Sequence, residues 1–313
     1  MTPPPVPTVF LGSGPFAVPI LDALVGHPAV HVSAVVTAPP RPAGRRGDFM
    51  STPVRVRAGE LGIGRVLRPE RLRDPAAIEE IEALGAELLV LADYGRIVPA
   101  TLLDPPYGAL NVHPSLLPRH RGATPIPAAI LAGDATTGVT LMRMDAGLDT
   151  GPIVAQKAVP LVGDETTPVL EDRLAALGAD LLTATLGPWL SGEIEPRPQD
   201  GSLATITRPL KREDGRLDAR LPPTELERRV RALQPWPGTF VDTAHGRLAI
   251  HSAAVDPEVA GEPGTFDDLG LLAAAGRLRL LDVQPAGGRR MSWSDYIRGR
   301  PGIVGSRVVA SSA

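Results

Sequence analysis

The sequence Ala109-Leu110-Asn111-Val112-His113-Pro114 places two polar side chains at the end of a short apolar run. Successive strand residues point to opposite faces, so Asn111 and His113 are predicted to share one face while Val112 points to the other. Pro114 favours an extended conformation at His113 and cannot donate to a ladder, which predicts that the strand ends here. Open α/β sheets bind ligands beyond the carboxyl ends of their strands. The Asn111–His113 pair is therefore predicted to lie at a binding site.

Short apolar strands alternate with helical segments over the first 190 residues. The predicted strands include Thr8–Leu11, His31–Val36, Arg65–Leu67, Leu88–Ala92, Ala109–His113 and Gly138–Met144. The predicted helices between and after them are Pro15–Val25, Ala76–Leu84, Pro125–Ala132 and the long amphipathic Thr166–Leu186. Such alternation predicts an α/β fold with a doubly wound, Rossmann-like parallel sheet.

The composition changes near residue 190, which predicts two domains. Residues 191–207 contain Pro196 and Pro198 and are predicted to be a linker between a catalytic domain over 1–190 and a second domain over 208–313. Beyond the linker, short strands separated by Gly and Pro predict a small β-barrel or sandwich. This part is mildly basic, because from residue 206 onward 16 Lys and Arg face 13 Asp and Glu. That balance is compatible with contact to phosphates.

The bulk composition is that of an ordinary globular protein. The 313 residues are 43% hydrophobic and 21% charged, with a net charge of −3. There is no cysteine, which excludes disulfides, thiolate metal sites and cysteine nucleophiles. No apolar run reaches the roughly 18–20 residues of a membrane span, and the N-terminus has no secretory pattern. We therefore expect a cytoplasmic protein that is not bound to a membrane.

Gly12-Ser13-Gly14-Pro15-Phe16-Ala17 matches the G-x-G-x-x-A fingerprint of dinucleotide sites. An NAD site should also place an acidic residue near the end of the second strand, but residues 30–40 contain none. Arg41 could instead bind a 2′-phosphate, so an NADP-dependent oxidoreductase is one alternative. A glycine turn that packs a strand against a helix is the favoured interpretation.

A third polar residue, Asp149, lies between Gly147 and Gly151, on backbone that can turn sharply. An amide, an imidazole and a carboxylate together can handle a tetrahedral acyl-transfer intermediate. Asn111 would donate to the oxyanion and His113 would move protons near neutral pH. Asp149 would either orient and stabilise His113 or relay the proton through water. No metal ion and no covalent nucleophile is required.

Several motifs resemble those of the 10-formyltetrahydrofolate-dependent formyltransferases. The core matches are Asn111–Pro118, Arg121–Ile126, Gly133-Asp134, Gly138–Thr140 and Met144–Gly151. Further matches resemble the branch of this family that acts on methionyl-tRNA, and they are Arg41–Arg45, Ala92-x-Tyr94-Gly95, Gln234–Gly238 and Gln284–Met291. The resemblance extends over nearly the whole chain.

The resemblance implies a role for each matched segment. Asn111, His113 and Asp149 would be catalytic, and Ser115, Leu116, Leu117 and Pro118 would bind tetrahydrofolate. A loop carrying Arg41, Arg45 and Arg46 would contact the acceptor end of the tRNA, as would the second, OB-like domain. The formyl donor would be 10-formyltetrahydrofolate, and the acceptor would be initiator methionyl-tRNA, for translation initiation. The enzyme is expected to be a monomer.

Three other functions share part of this pattern. A formyltransferase for amino sugars or other small amines would use the same trio without a basic second domain. A formyltetrahydrofolate hydrolase would use water in place of the amine. A non-catalytic tRNA-binding protein would not depend on Asn111 or His113.

Overall fold

The structure is a computed structural model that describes residues 4–43 and 48–309 of the chain. These residues form two compact units. Unit 1 is drawn from Met1–Pro125, Thr136–Pro160 and Glu171–Thr207, and unit 2 from Ile126–Ala135, Leu161–Leu170 and Arg208–Ala313. The second unit thus includes two short segments, Ile126–Ala135 and Leu161–Leu170, that lie before residue 190 in the sequence.

The described residues of unit 1 form eleven strands. In chain order they are β1 (Val6–Gly12), β2 (Val30–Val36), β3 (Arg41–Ala43), β4 (Asp48–Met50), β5 (Val66–Leu67), β6 (Leu88–Ala92), β7 (Ala109–His113), β8 (Arg121–Gly122), β9 (Thr136–Arg143), β10 (Ile153–Pro160) and β11 (Ile206–Thr207). Seven of them form the main sheet in the order β10-β9-β7-β6-β1-β2-β5. The central strand β6 is buried at all five positions, as expected of a parallel strand covered on both faces.

The main sheet is parallel except at one edge. Strand β9 runs antiparallel to β7, and β10 runs antiparallel to β9. Only residues 144–152 separate β9 from β10, which is too short for the crossover that a parallel pair needs. Strand β10 was not predicted from the sequence.

Five α-helices alternate with these strands along the described part of the chain before residue 191. They are α1 (Ala17–Gly26), α2 (Pro53–Glu60), α3 (Pro75–Glu82), α4 (Pro125–Ala132) and α5 (Thr167–Leu190). Helix α4 lies mostly in unit 2, and α5 begins in unit 2 and continues in unit 1 from Glu171. Helix α2 was not predicted, although the Thr52 side chain accepts a hydrogen bond from the Arg55 backbone and Pro53 opens the helix.

Unit 2 is built on an antiparallel sheet that curls into a half-barrel. After residue 208 its helices and strands are α6 (Pro223–Ala232), β12 (Thr239–Thr243), β13 (Gly246–Pro257), β14 (Gly270–Ala273), β15 (Gly276–Pro285), β16 (Met291–Ser292) and α7 (Trp293–Arg298). The strand order is β12-β13-β15-β14, and β16 also pairs with β15. Trp293 stacks between Phe266 and Tyr296, with both ring-centroid distances 5.6 Å.

The predicted fold class is confirmed: a Rossmann-like, mainly parallel α/β sheet accompanies a smaller curled β-sheet. One of the short strands predicted beyond the linker, at residues 264–266, is not formed. Residues 264–266 form only isolated bridges, at Thr265 and Phe266, and the strand lies instead at β14. Residues 38–47, rich in Pro, Arg and Gly, are predicted to be an exposed loop, but Arg41–Ala43 forms β3 and pairs with β4.

Helix α5 approaches β7 closely at Gly178, where a Cβ would lie 2.9 Å from Cγ1 of Val112. We expect Gly178→Leu to lower the free energy of unfolding by about 1–3 kcal/mol, because the added side chain overpacks this contact. Urea denaturation followed by circular dichroism would measure the change. Gly187→Ala on the same helix is the control, because a Cβ there meets nothing within 4 Å. It should stabilise the protein by up to about 1 kcal/mol through helix propensity, and equal losses in both variants would contradict the packing explanation.

Candidate active site

Strand β7 carries two of the predicted catalytic residues at its carboxyl end. Asn111 is paired with Leu91 of β6 and Met142 of β9, and His113 is paired with Thr140. Val112 between them is buried against Gly178 of α5, so Asn111 and His113 lie on the opposite face of the sheet. Asn111 is half-buried and His113 is only 5% exposed.

The His113 imidazole is held through one ring nitrogen and leaves the other open. Its Nε2 lies 3.0 Å from the backbone carbonyl oxygen of His120, which can only accept a hydrogen bond. In the neutral ring the proton is therefore on Nε2, and Nδ1 carries the lone pair. Nδ1 lies 3.8 Å from Oδ2 of Asp149, which is too long for a hydrogen bond but close enough for strong charge interaction. Nδ1 is consequently placed to accept a proton and to be stabilised once it has done so.

Burial lowers the pKa of His113 below its usual value, because an imidazolium loses hydration inside the protein. The Asp149 carboxylate and the His120 carbonyl act in the opposite direction, while the His120 ring adds to the lowering. The net direction is downward, so His113 is neutral at neutral pH. A neutral imidazole is the form that can act as a general base.

Asp149 lies in a turn between β9 and β10 and has a φ of 50°. Its Oδ2 accepts a hydrogen bond of 2.7 Å from the backbone N–H of Gly122. The turn is also supported by Asp145, whose Oδ1 accepts from the Gly147 backbone at 3.0 Å and from the Thr150 hydroxyl at 2.7 Å. The carboxylate is thus fixed beside His113 by the backbone N–H of Gly122.

The Asn111 carboxamide has no hydrogen-bond partner within residues 4–43 and 48–309. A half-buried amide without an internal partner can use its N–H groups on a ligand. Asn111 and His113 alternate on one strand face, so both side chains reach the same side of the sheet edge. The amide is the available hydrogen-bond donor of the trio.

The predicted folate-binding residues form the loop after β7. Ser115 and Leu117 are buried, and the Ser115 hydroxyl donates to the Arg119 carbonyl at 2.6 Å. The Leu117 backbone donates to Thr140 Oγ1, and the Gln156 amide donates to the Leu117 carbonyl at 2.8 Å. Leu116 and Pro118 are half-buried. The Ser115 side chain and the Leu117 backbone therefore hold the loop in shape, and the side chains of Leu116 and Pro118 remain partly accessible.

One of the three predicted tRNA-contacting arginines lies within the described residues. Arg41 is exposed at the start of β3. Arg45 and Arg46 lie outside the described residues. In the next strand, Phe49 is 74% exposed and Met50 61% exposed, so the described part of β4 presents apolar side chains to solvent.

The glycine fingerprint serves packing. A Cβ on Gly14 would collide with the carboxylate of Asp93, and one on Gly12 would meet the Phe10 ring at 2.6 Å. The Asp93 carbonyl also accepts hydrogen bonds from the Ser13 and Gly14 backbones at 3.0 and 3.4 Å. Desolvation raises the pKa of Asp93 to about 7, and the nearby Glu171 carboxylate adds to this rise. A carboxyl group lying against Gly14 disfavours the pyrophosphate of a dinucleotide, so the glycine fingerprint no longer supports the NADP alternative.

Two backbone groups of the site were not identified from the sequence. His120 is buried and has a φ of 57°, and its carbonyl fixes the His113 tautomer. Gly122 has a φ of 102° and supplies the N–H that binds Asp149. An arginine-glycine pair after a proline loop is a weak signal for such a turn, and the carbonyl role of His120 has no sequence signal at all.

Among the residues that the structure describes, no group of three or more His, Asp or Glu side chains could hold a metal ion. No helix in the same ranges is long and apolar enough to cross a bilayer.

The two parts of the chain match two family profiles. Residues 7–186 match the profile described as "Formyl transferase", and residues 209–301 match "Formyl transferase, C-terminal domain". Together with the Rossmann-like sheet and its polar trio, these matches define the protein as a formyltransferase.

Comparison with similar proteins shows which family of formyltransferases the chain belongs to. The chain is 44% identical to a methionyl-tRNA formyltransferase of Roseiflexus sp. strain RS-1, with 99% of this chain and 97% of that protein covered. It is 47% identical to a methionyl-tRNA formyltransferase of Halorhodospira halophila, with 96% and 98% covered. The chain belongs to the methionyl-tRNA formyltransferase family. An N-formyltransferase from Helicobacter canadensis, solved with folinic acid and dTDP-3-aminofucose, shares the fold at a TM-score of 0.63 and 16% identity, covering 91% of this chain and 100% of that one.

Proposed function

We propose that this protein transfers the formyl group of 10-formyltetrahydrofolate to the α-amino group of initiator methionyl-tRNA, for translation initiation. The observation that carries the proposal is the position of Asn111, His113 and Asp149 at the end of β7, in a chain 44% identical to a methionyl-tRNA formyltransferase over nearly its full length. The trio supplies what the transfer of an acyl group to an amine requires.

In the first step the α-amino nitrogen bonds to the formyl carbon, and the C=O π electrons move onto oxygen. The Asn111 N–H groups donate to this oxyanion, and such a donor contributes roughly 3–4 kcal/mol to the transition state. His113 Nδ1 takes the proton released by the attacking nitrogen. The bond between the formyl carbon and N10 of the folate then breaks, and the proton is delivered to N10.

The hydrogen-bond geometry favours a charge-stabilising role for Asp149. Orientation of the His113 ring already comes from the His120 carbonyl at 3.0 Å. Asp149 Oδ2 lies 3.8 Å from Nδ1, the nitrogen that becomes positively charged. The carboxylate thus acts on the imidazolium through its charge, and the 3.8 Å separation leaves the lone pair of Nδ1 free for the incoming proton.

We further propose that Ser115–Pro118 forms one wall of the folate site, next to the trio. Leu116 and Pro118 would supply apolar contact to the folate, and the buried Ser115 and Leu117 would hold the loop in shape. Folinic acid in the Helicobacter canadensis structure supports a folate as the donor class. No step of the proposed mechanism needs a metal ion.

The tRNA would bind through Arg41, Arg45 and Arg46 and through the second domain. We propose a catalytic domain over residues 1–190, a connecting segment over 191–207 and a tRNA-contacting, OB-like domain over 208–313. The protein would act as a monomer in the cytoplasm.

Neutralising the arginine loop should weaken tRNA binding. We expect Arg45→Gln combined with Arg46→Gln to raise the Kd for tRNA and to reduce the slope of log K against log salt by about one for each lost phosphate contact. Filter binding over a range of salt concentrations would measure both quantities. The control is Arg71→Gln combined with Arg73→Gln, which removes the same charge from exposed positions of unit 1. An unchanged salt slope in the loop variant would show that the tRNA binds elsewhere.

The proposed function is tested by incubating the full chain with 10-formyltetrahydrofolate and charged initiator methionyl-tRNA. Formyl-methionyl-tRNA is measured, with elongator methionyl-tRNA and no acceptor as controls. Formylation confined to the initiator supports the proposal. Deformylation of the folate without an acceptor would indicate a hydrolase, and folate binding without turnover of either tRNA would indicate a small-amine acceptor.

A further inference from the structure

Gln199 lies in the predicted linker, yet its side chain is part of unit 1 and is fully hydrogen-bonded. Its Nε2 donates to the backbone carbonyls of Asp149 at 2.9 Å and Gly151 at 2.7 Å. Its Oε1 accepts from Nε of Arg121 at 3.1 Å and from Nη2 of Arg121 at 2.7 Å. Both amide protons and both lone pairs of the oxygen are therefore used, which fixes the orientation of the amide.

The segment around Gln199, residues 197–207, also contacts the loop that carries Asp149 and the loop that carries Arg121 through its backbone. Arg197 and Ile153 exchange hydrogen bonds of 2.7 and 2.8 Å, beside the start of β10. Strand β11 pairs with β8, and the Arg121 backbone donates to the Thr205 carbonyl at 2.9 Å. The Thr205 hydroxyl also accepts from the His120 backbone at 2.8 Å. We call residues 197–207 the strap.

Gln199 connects the two loops whose separation sets the position of the Asp149 carboxylate. One loop carries Asp149, and the other carries Arg121 and Gly122, whose N–H binds Asp149 Oδ2. Asp149 has a φ of 50°, a left-handed conformation that is unfavourable for a non-glycine residue and persists only when its surroundings hold it. The two hydrogen bonds from Gln199 hold the carbonyls of Asp149 and of the residue two positions later. The amide thus ties the strained turn to the loop that binds its carboxylate.

We propose that Gln199 is a positioning residue for the formyl-transfer reaction, acting through Asp149 by fixing its turn against the Arg121–Gly122 loop. This inference rests on the proposed function. Gln199 itself would touch neither the folate nor the acceptor, because all of its hydrogen-bonding capacity is used inside the protein.

The first test is Gln199→Met, which keeps the length of the side chain and removes all four hydrogen bonds. We expect kcat for formyl transfer to fall about tenfold or more, because small displacements of a catalytic group are costly, while both KM values stay within about twofold. The control is Ser202→Ala, an exposed neighbour in the strap whose side chain binds only Asp200, and it should behave as wild type. Wild-type kcat in Gln199→Met would overturn the proposal.

A double-mutant cycle distinguishes positioning from general stabilisation. If Gln199 acts through Asp149, then Gln199→Met should change kcat less than about twofold in an Asp149→Asn background. If the reductions in kcat caused by Gln199→Met and by Asp149→Asn multiply fully in the double variant, the proposal is overturned. Gln199→Glu is the second variant, because it retains the acceptors for Arg121 but cannot donate to the two carbonyls. It should reproduce the loss of rate even if Gln199→Met folds poorly.

The pKa of His113, measured by NMR titration of its ring protons, gives a readout that does not depend on turnover. The Asp149 carboxylate raises this pKa, so its displacement in Gln199→Met should move the pKa further down. An unchanged pKa would overturn the inference whatever the activity. If wild type fails to formylate methionyl-tRNA but the pKa moves as expected, the proposed function is contradicted and the positioning role of Gln199 is supported.

Discussion

Replacing Asn111 by alanine is expected to lower kcat for formyl transfer at least about a hundredfold while tRNA affinity stays nearly unchanged. The reason is that the Asn111 amide has no internal hydrogen bond within the described ranges, so its donors are free for the oxyanion that exists only along the reaction path. Because it stabilises the transition state rather than the bound tRNA, its loss should appear in the rate. Single-turnover formylation and filter binding measure the two quantities separately.

A second variant at the same position tests the chemistry of the donor. Asn111→Asp retains the shape of the side chain but replaces its N–H donors with a carboxylate oxygen, so it should lose at least as much rate as the alanine variant. Asn111 is the only asparagine in the chain. A fall in tRNA affinity equal to the fall in rate, in either variant, would assign Asn111 to binding and would contradict its role as the oxyanion donor.

The part of the site carried by strand β7 could be predicted because strand geometry is periodic. Alternation places Asn111 and His113 on one face of the strand, and the glycines around Asp149 indicate a turn. The structure brings Asp149 Oδ2 to 3.8 Å from His113 Nδ1. The sequence left two roles open for Asp149, and the choice between them depends on the tautomer of His113. That tautomer is set by the His120 carbonyl, a backbone atom whose position no residue pattern encodes.

The contribution of the strap could not be predicted for a related reason. Proline and glycine near residues 192–201 are typical of a linker, and Gln199 carries no periodic signal. Its contacts are with the backbone of a turn 48–50 residues earlier in the chain and with the Arg121 side chain. Hydrogen bonds to backbone carbonyls place no demand on the identity of the residues that supply them, so they leave no trace in the sequence of the turn.

The errors in secondary structure have local causes. Helix α2 buries only Val54 and Ala58, so it lacks the apolar stripe that marked the other helices, and its Thr52-Pro53 start was the better signal. Strand β10 is exposed or half-buried after its first two residues, because it lies at the edge of the sheet. Both elements are stabilised mainly by tertiary contacts, and their own sequence patterns are weak.

Replacing His113 by alanine or glutamine is expected to lower kcat at least about a hundredfold, and the wild-type pH profile should show why. His113 can accept a proton only in its neutral form. Burial lowers the pKa of His113, so kcat should stay high down to a pH below the ordinary imidazole value of about 6.5 and fall only at more acidic pH. An acid limb at or above that value would contradict the assignment.

Asp149→Asn should separate the two effects of the carboxylate on His113. Removing its charge lowers the pKa of His113 further, so the acid limb moves to lower pH, while the plateau rate falls because the imidazolium is less stabilised. His120→Asn is the control that removes the His120 imidazole. It retains the backbone carbonyl that binds His113 Nε2, and asparagine tolerates the positive φ at this position. It should keep the plateau within about tenfold of wild type and move the acid limb slightly upward, since the His120 ring lowers the pKa of His113. Only a base at His113 flanked by one carboxylate and one imidazole predicts opposite movements of the limb in these two variants.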